Sequence, residues 1–164
     1  MRKVILGALL LLSTLSFVSC QPKLNYECPG YFSKEDWKIV SDFEKTKDTL
    51  WGLNKKVKLE YNKSTDSTSI DILPIQRNQL SSLPNGEKLQ SLIDSALIEC
   101  KYSCNNPETF NPKSISIYPE FGDEKDFYIS IRFNASNSYG VPGSLSGSFT
   151  YNNKSFKLKD KIVY

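Results

Sequence analysis

No histidine occurs among the 164 residues. That absence removes in one step Ser-His-Asp and Cys-His catalysis, histidine-ligated zinc and imidazole proton shuttles. A clustered surplus of positive charge is missing too. Lysine and arginine number 21 against 18 aspartates and glutamates, and two of the basic residues, Arg2 and Lys3, fall in an N-terminal leader, so the rest of the chain is almost neutral. Nucleic acid is held by neutralising its phosphates and is therefore not an expected partner. Cysteine is scarce at four, and neither a G-x-S-x-G nucleophile elbow nor a phosphate-cradling glycine loop is found. What is present is apolar material, 39% hydrophobic and 12% aromatic residues. That suffices for one buried core in a chain too short for two ordinary domains.

Residues 1–18 have the layout of an export signal: a basic start followed by an apolar stretch too short to span a bilayer comfortably. Phe17-Val18-Ser19-Cys20 comes next and resembles the lipobox of bacterial lipoproteins, with Phe17 standing where that family usually carries Leu. The resemblance implies cleavage before Cys20, diacylation of its thiol and acylation of the new amino terminus. Residues 1–19 are then a signal peptide, residues 20–27 a lipidated cysteine with a short tether, and residues 28–164 a single globular domain. It also implies a bacterial cell-envelope protein, held on the outer membrane by acyl chains that together anchor stably where one alone is marginal. The competing reading is cleavage after Cys20 by ordinary signal peptidase, which yields a secreted chain from Gln21.

Within the body, Ser33 followed by Lys34-Glu35-Asp36 reads as a helix cap with acidic residues in the first turn, and Trp37, Val40 and Phe43 follow at helical spacing. This short N-terminal helix is expected to stop between residues 46 and 50. Residues 57–61 and 69–72 alternate apolar with polar and predict a β-hairpin, with Pro74 ending the second strand or pushing it to an edge. Leu89, Leu92, Ile93, Ala96, Leu97, Cys100 and Cys104 recur at steps of three and four, a stripe on a helix over residues 87–104. Beyond Asn105-Asn106-Pro107 the period becomes two, over residues 114–117, 127–133 and 145–151, with Phe156 and Leu158 marking a last strand. The expected fold is α+β: an antiparallel sheet of about four to six strands, the main amphipathic helix on one face, the shorter N-terminal helix beside it and the other face polar.

Asn106-Pro107-Glu108-Thr109-Phe110, and later Asn137-Ser138-Tyr139-Gly140 at a strand end, resemble a couplet of small exported bacterial proteins, Pro-x-Ser/Thr-Phe with Asn-x-aromatic-Gly. The resemblance implies a helix-on-sheet domain in an envelope setting and transfers no catalytic residue. Read physically, Gly140 supplies an unusual backbone angle, Asn137 bonds its own local backbone, and Pro142-Gly143 fits a type II turn. Arg132, Asn137, Tyr139 and Gly140 form a candidate binding loop whose polar and aromatic groups suit a protein or a glycan.

Cys28, Cys100 and Cys104 remain once Cys20 is lipidated. A bridge from Cys28, with Cys104 the favoured partner over Cys100, would pin the N-terminal segment to the main helix, because helix ends adapt to bridge geometry. C-x3-C is not the C-x-x-C of thiol oxidoreductases. Glu120, Asp123, Glu124 and Asp126 gather around Phe121-Gly122 as a solvated hairpin tip without the ordered spacing of a calcium loop. No cofactor and no metal is expected. The sequence thus favours a non-enzymatic envelope lipoprotein that contacts protein or glycan through residues 132–143. A carboxylate-based glycan hydrolase using those four acids, or a secreted inhibitor of a hydrolase, is the alternative.

Overall fold

The computed structural model describes residues 30–43, 45, 50–62 and 65–164. The leader, Cys20, the tether and Cys28 lie outside the described residues, as do the side chains of Trp37 and Val40. The first helix, α1, spans Lys34–Phe43. Its start is the predicted cap: the Asp36 amide donates to Ser33 Oγ at 3.2 Å while the Ser33 amide donates to Asp36 Oδ2 at 2.6 Å. It ends earlier than expected, at Phe43, whose ring is buried and whose carbonyl oxygen accepts from Arg77 Nη2 at 3.1 Å.

The strands β1 (Leu50–Val57) and β2 (Thr68–Gln76) form the N-terminal hairpin. The predicted first strand at 57–61 is corrected to 50–57. Residues 58–61 lead into the connection, where Asn62 Oδ1 accepts from the Leu59 amide at 2.7 Å and holds Leu59 in the core. Pro74 does not end β2. It sits in a bulge, since Trp51 pairs with Ile75 but Leu53 with Ile72, and a bulge is where a strand tolerates a residue without an N–H. Gly52 lies opposite, and a Cβ there would come within 3.1 Å of the Ile72 carbonyl oxygen.

A 3-10 turn (Arg77–Ser82) leads to the main helix α2 (Gly86–Ser103), capped by Asn85, whose side chain accepts from the Lys88 amide. Leu89, Leu92, Ile93, Ala96, Leu97 and Cys100 are all buried, as the stripe predicts. After a short 3-10 turn (Pro107–Thr109) the chain runs as a meander through β3 (Asn111–Phe121), β4 (Asp126–Ser136), β5 (Pro142–Tyr151) and β6 (Leu158–Val163). The six strands lie in sequence order in one sheet. The fold is α+β, but the sheet is mixed rather than antiparallel: β2 and β3 pair in parallel, from Ser69↔Ser114 to Ile72↔Ile117. The cause is the connection. A helix between two adjacent strands returns the chain to the end from which it set out, which makes the pair parallel.

The inward side chains of β3 to β5, among them Ile115, Ile117, Phe127, Ile129, Ile131, Phe133 and Phe149, are fully buried beneath α2. Gly147 admits the helix most closely, because a Cβ there would collide with Cys100 Sγ. The opposite face carries the polar residues of the alternation, among them Ser116, Ser130 and Ser148. Among the described residues no helix is long and apolar enough to cross a membrane.

Candidate functional site

The connection between β4 and β5 is built by one side chain. Asn137 Oδ1 accepts from the amides of Tyr139 and Val141, each at 3.0 Å, while its own amide donates to the Val141 carbonyl at 2.9 Å. Gly140 takes a φ of +78°, the left-handed angle expected of it. Pro142 and Gly143 are not a turn: they begin β5, paired with Ser136 and Ala135. Asn137 has thus committed its oxygen to the backbone, and what the turn presents outward is Tyr139, 89% exposed, with Val141 at 58%.

The two halves of the couplet meet at this turn. Thr109 Oγ1 accepts from the Ser136 amide at 2.7 Å and donates to the Asn106 carbonyl at 2.8 Å, and Phe110 lies against Phe133 with ring centroids 5.1 Å apart. The segment after α2 therefore clamps the base of the β4–β5 turn. Beside it, between the end of α2 and the turn, runs a groove of about 280 Å³ lined by Cys104, Asn137, Val141, Leu145 and Val163 among others.

Arg132 does not join this group. It lies on the open face of β4, four residues before Ser136, which at a strand's rise of about 3.3 Å per residue is roughly 13 Å away. Its neighbours in register are Ser114 on β3 and Ser146 on β5, and it lines a separate depression of about 340 Å³ with Ser144, Ser146 and Tyr164. The single predicted loop site is thus two places, an aromatic turn tip and a guanidinium on the open sheet face.

Three of the four acids of the β3–β4 tip are already engaged within the fold. Glu120 accepts from Ser82 Oγ at 2.7 Å and Gln79 Nε2 at 2.9 Å, with Lys125 Nζ at 3.7 Å. These partners, the Ser82 hydroxyl foremost, hold its carboxyl below the usual glutamate range, the opposite of what a general acid needs. Glu124 and Asp126 both take Lys159, the latter at 2.6 Å. No three such side chains converge on a metal position among the described residues.

Cys100 and Cys104 are not joined to each other: the Cys104 thiol donates to the Cys100 carbonyl at 3.2 Å, and no disulfide occurs among the described residues. Burial pushes the Cys100 thiol up to about 12 and raises that of Cys104, so neither is poised as a thiolate. One buried acid escaped the sequence reading. Asp94 sits 8% exposed on α2, with Oδ1 accepting from the Tyr31 hydroxyl at 2.6 Å. Its signal was an aspartate next to the apolar stripe, between Ile93 and Ala96. No known protein family, no curated protein and no solved structure matches this chain.

Proposed function

We propose that the chain is a cell-envelope lipoprotein, anchored through Cys20, that works as a non-enzymatic binding module and contacts an envelope protein or glycan through the β4–β5 turn and the adjoining sheet face. The lipobox-like Phe17-Val18-Ser19-Cys20 supports the anchor. One observation carries the binding reading: Tyr139, almost wholly exposed, stands on a turn that Asn137 and the Thr109 clamp hold in place, next to an apolar groove. A large aromatic kept in water on a rigid support is the usual anatomy of a contact residue, because its partner pays no ordering cost on that side. The tip acids give the competing hydrolase no comparable support, since Glu120, Glu124 and Asp126 are each bonded to neighbours within the fold.

Two measurements test this. Intact mass of the protein extracted from its native envelope, before and after reduction, is expected to show a chain starting at an acylated Cys20; an unmodified chain from Gln21 removes the anchor and leaves a secreted binder. Photo-crosslinking from position 139, with position 154 as reference, is expected to capture a partner, and affinity recovery of that partner by the chain without the crosslinker is expected to fall on Tyr139→Ala or Arg132→Ala. Recovery that is indifferent to both substitutions overturns the binding reading.

A further inference from the structure

The open face of the sheet is arranged in rows. Register places Ser116, Ser130, Ser148 and Ile162 in one line across β3 to β6, and Tyr118, Tyr128, Thr150 and Asp160 in the next line toward the β3–β4 tip. On the other side of the serine line stand Ser114, Arg132 and Ser146, extended by Tyr164, whose amide donates to the Ser146 carbonyl at 2.9 Å. Lines two residues apart along a strand are separated by about 6.6 Å, so roughly 13 Å of hydroxyl-bearing surface divides Arg132 from the tyrosine line.

The two ends of that surface differ in chemistry. At one end Phe121 stacks on Tyr128, centroids 4.4 Å apart, with Tyr118 edge-on to both, and Phe121 is 46% exposed. At the other, Arg132 opens into its depression with the Ser144 and Ser146 hydroxyls, and no ion pair or hydrogen bond engages its guanidinium among the described residues. The other described arginine, Arg77, is taken up by the Phe43 carbonyl and ring.

From this juxtaposition we infer that the sheet face is a binding site for an acidic oligosaccharide, with a sugar ring on the Phe121–Tyr128 platform and a carboxylate on Arg132. The inference rests on the binding reading above and names its ligand. Three features select this chemistry. A planar guanidinium flanked by hydroxyl donors matches a carboxylate, which it can hold through two parallel bonds. Exposed aromatic rings offer flat apolar surface to the C–H face of a sugar ring. The backbone of β4 is paired along both sides, as are Ser114–Ile117 of β3 and Gly147–Tyr151 of β5, so the middle of this face offers no free edge to a peptide strand, whereas its serine hydroxyls can exchange hydrogen bonds with sugar hydroxyls.

Calorimetric titration of the full chain with tetragalacturonate, with maltotetraose as the neutral reference, tests the site. Saturable binding of the acidic tetramer is expected, with little binding of the neutral one and an affinity that falls as sodium chloride rises. Arg132→Gln and Phe121→Ala are each expected to weaken it about tenfold or more, while Lys154→Gln, which removes one exposed positive charge elsewhere, leaves it unchanged. Matching thermal melts for the variants establish that the fold is intact. No binding, equal binding of maltotetraose, indifference to Arg132→Gln, or equal displacement by sodium sulfate at matched ionic strength overturns the inference. Any of these together with a crosslinked partner at position 139 leaves the broader binding reading standing; loss of the crosslink alone does the reverse.

Discussion

Gly147 of β5 and Cys100 of α2 face each other so closely that a methyl group at position 147 would overlap the Cys100 sulfur and crowd the Phe149 ring. The helix sits as near to the sheet as it does because this strand position has no side chain. Gly147→Ala is expected to destabilise the domain by about 1–3 kcal/mol through overpacking. Adding Cys100→Ala vacates the contested space, so in a double-mutant cycle by urea denaturation the pair costs less than the sum of the single changes.

Burial raises the carboxyl of Asp94 above its ordinary 3.8, the Tyr31 hydroxyl offsetting only part of the desolvation. The folded state therefore holds the proton more tightly than the unfolded chain. This group's contribution to stability is complete below 3.8 and is lost as pH rises through the folded value. Asp94→Asn mimics the protonated form and can still accept from Tyr31. Its stability relative to the parent is expected to improve as pH rises from about 3 to about 7 in parallel urea melts. A gap that is flat with pH removes the assignment.

Glu120 has the opposite sign. Its carboxyl lies below its ordinary 4.5, so its contribution is present above that value and lost as pH falls through the folded one. Ser82→Ala is expected to raise the Glu120 carboxyl, read by carbon NMR titration, and to cost about 1 kcal/mol near neutrality. An unchanged Glu120 titration together with unchanged stability in Ser82→Ala removes this assignment.

Asn137 and Tyr139 are two residues apart and separate turn construction from contact. Asn137→Ala removes the acceptor of two amides and is expected to cost about 1–2 kcal/mol. Tyr139→Ala alters an exposed ring and is expected to leave thermal stability within about 0.5 kcal/mol while reducing partner recovery.

The parts of the fold most legible in the sequence were those where one local rule acted alone. The stripe from Leu89 to Cys100 marked α2 closely, and the alternation from Phe127 to Phe133 marked the core face of β4. Reading failed where long-range pairing chose between local options. Residues 57–61 alternate as well as any strand, yet Asn62 closes a turn there, and β1 forms upstream, over a segment whose Gly52 and Asn54-Lys55-Lys56 break the alternation, because β2 pairs with it. The parallel pairing was encoded in the strand-helix-strand order rather than in any residue. At the candidate site, Asn137 and Gly140 were readable as turn chemistry, whereas the separation of Arg132 from Tyr139 depended on counting strand register, which composition does not reveal.

The junction of β2 with β3 has a kinetic meaning. Every other strand pair joins neighbours linked by a short connection, so each can close with little loss of chain entropy. Aligning Ser69–Ile72 with Ser114–Ile117 requires α2 and its flanking turns to be spanned, so this pairing carries the largest closure cost in the sheet and is expected to be the slowest to form. The meander from β3 to β6 holds most of the fully buried side chains and can close through local turns alone, independently of that long connection.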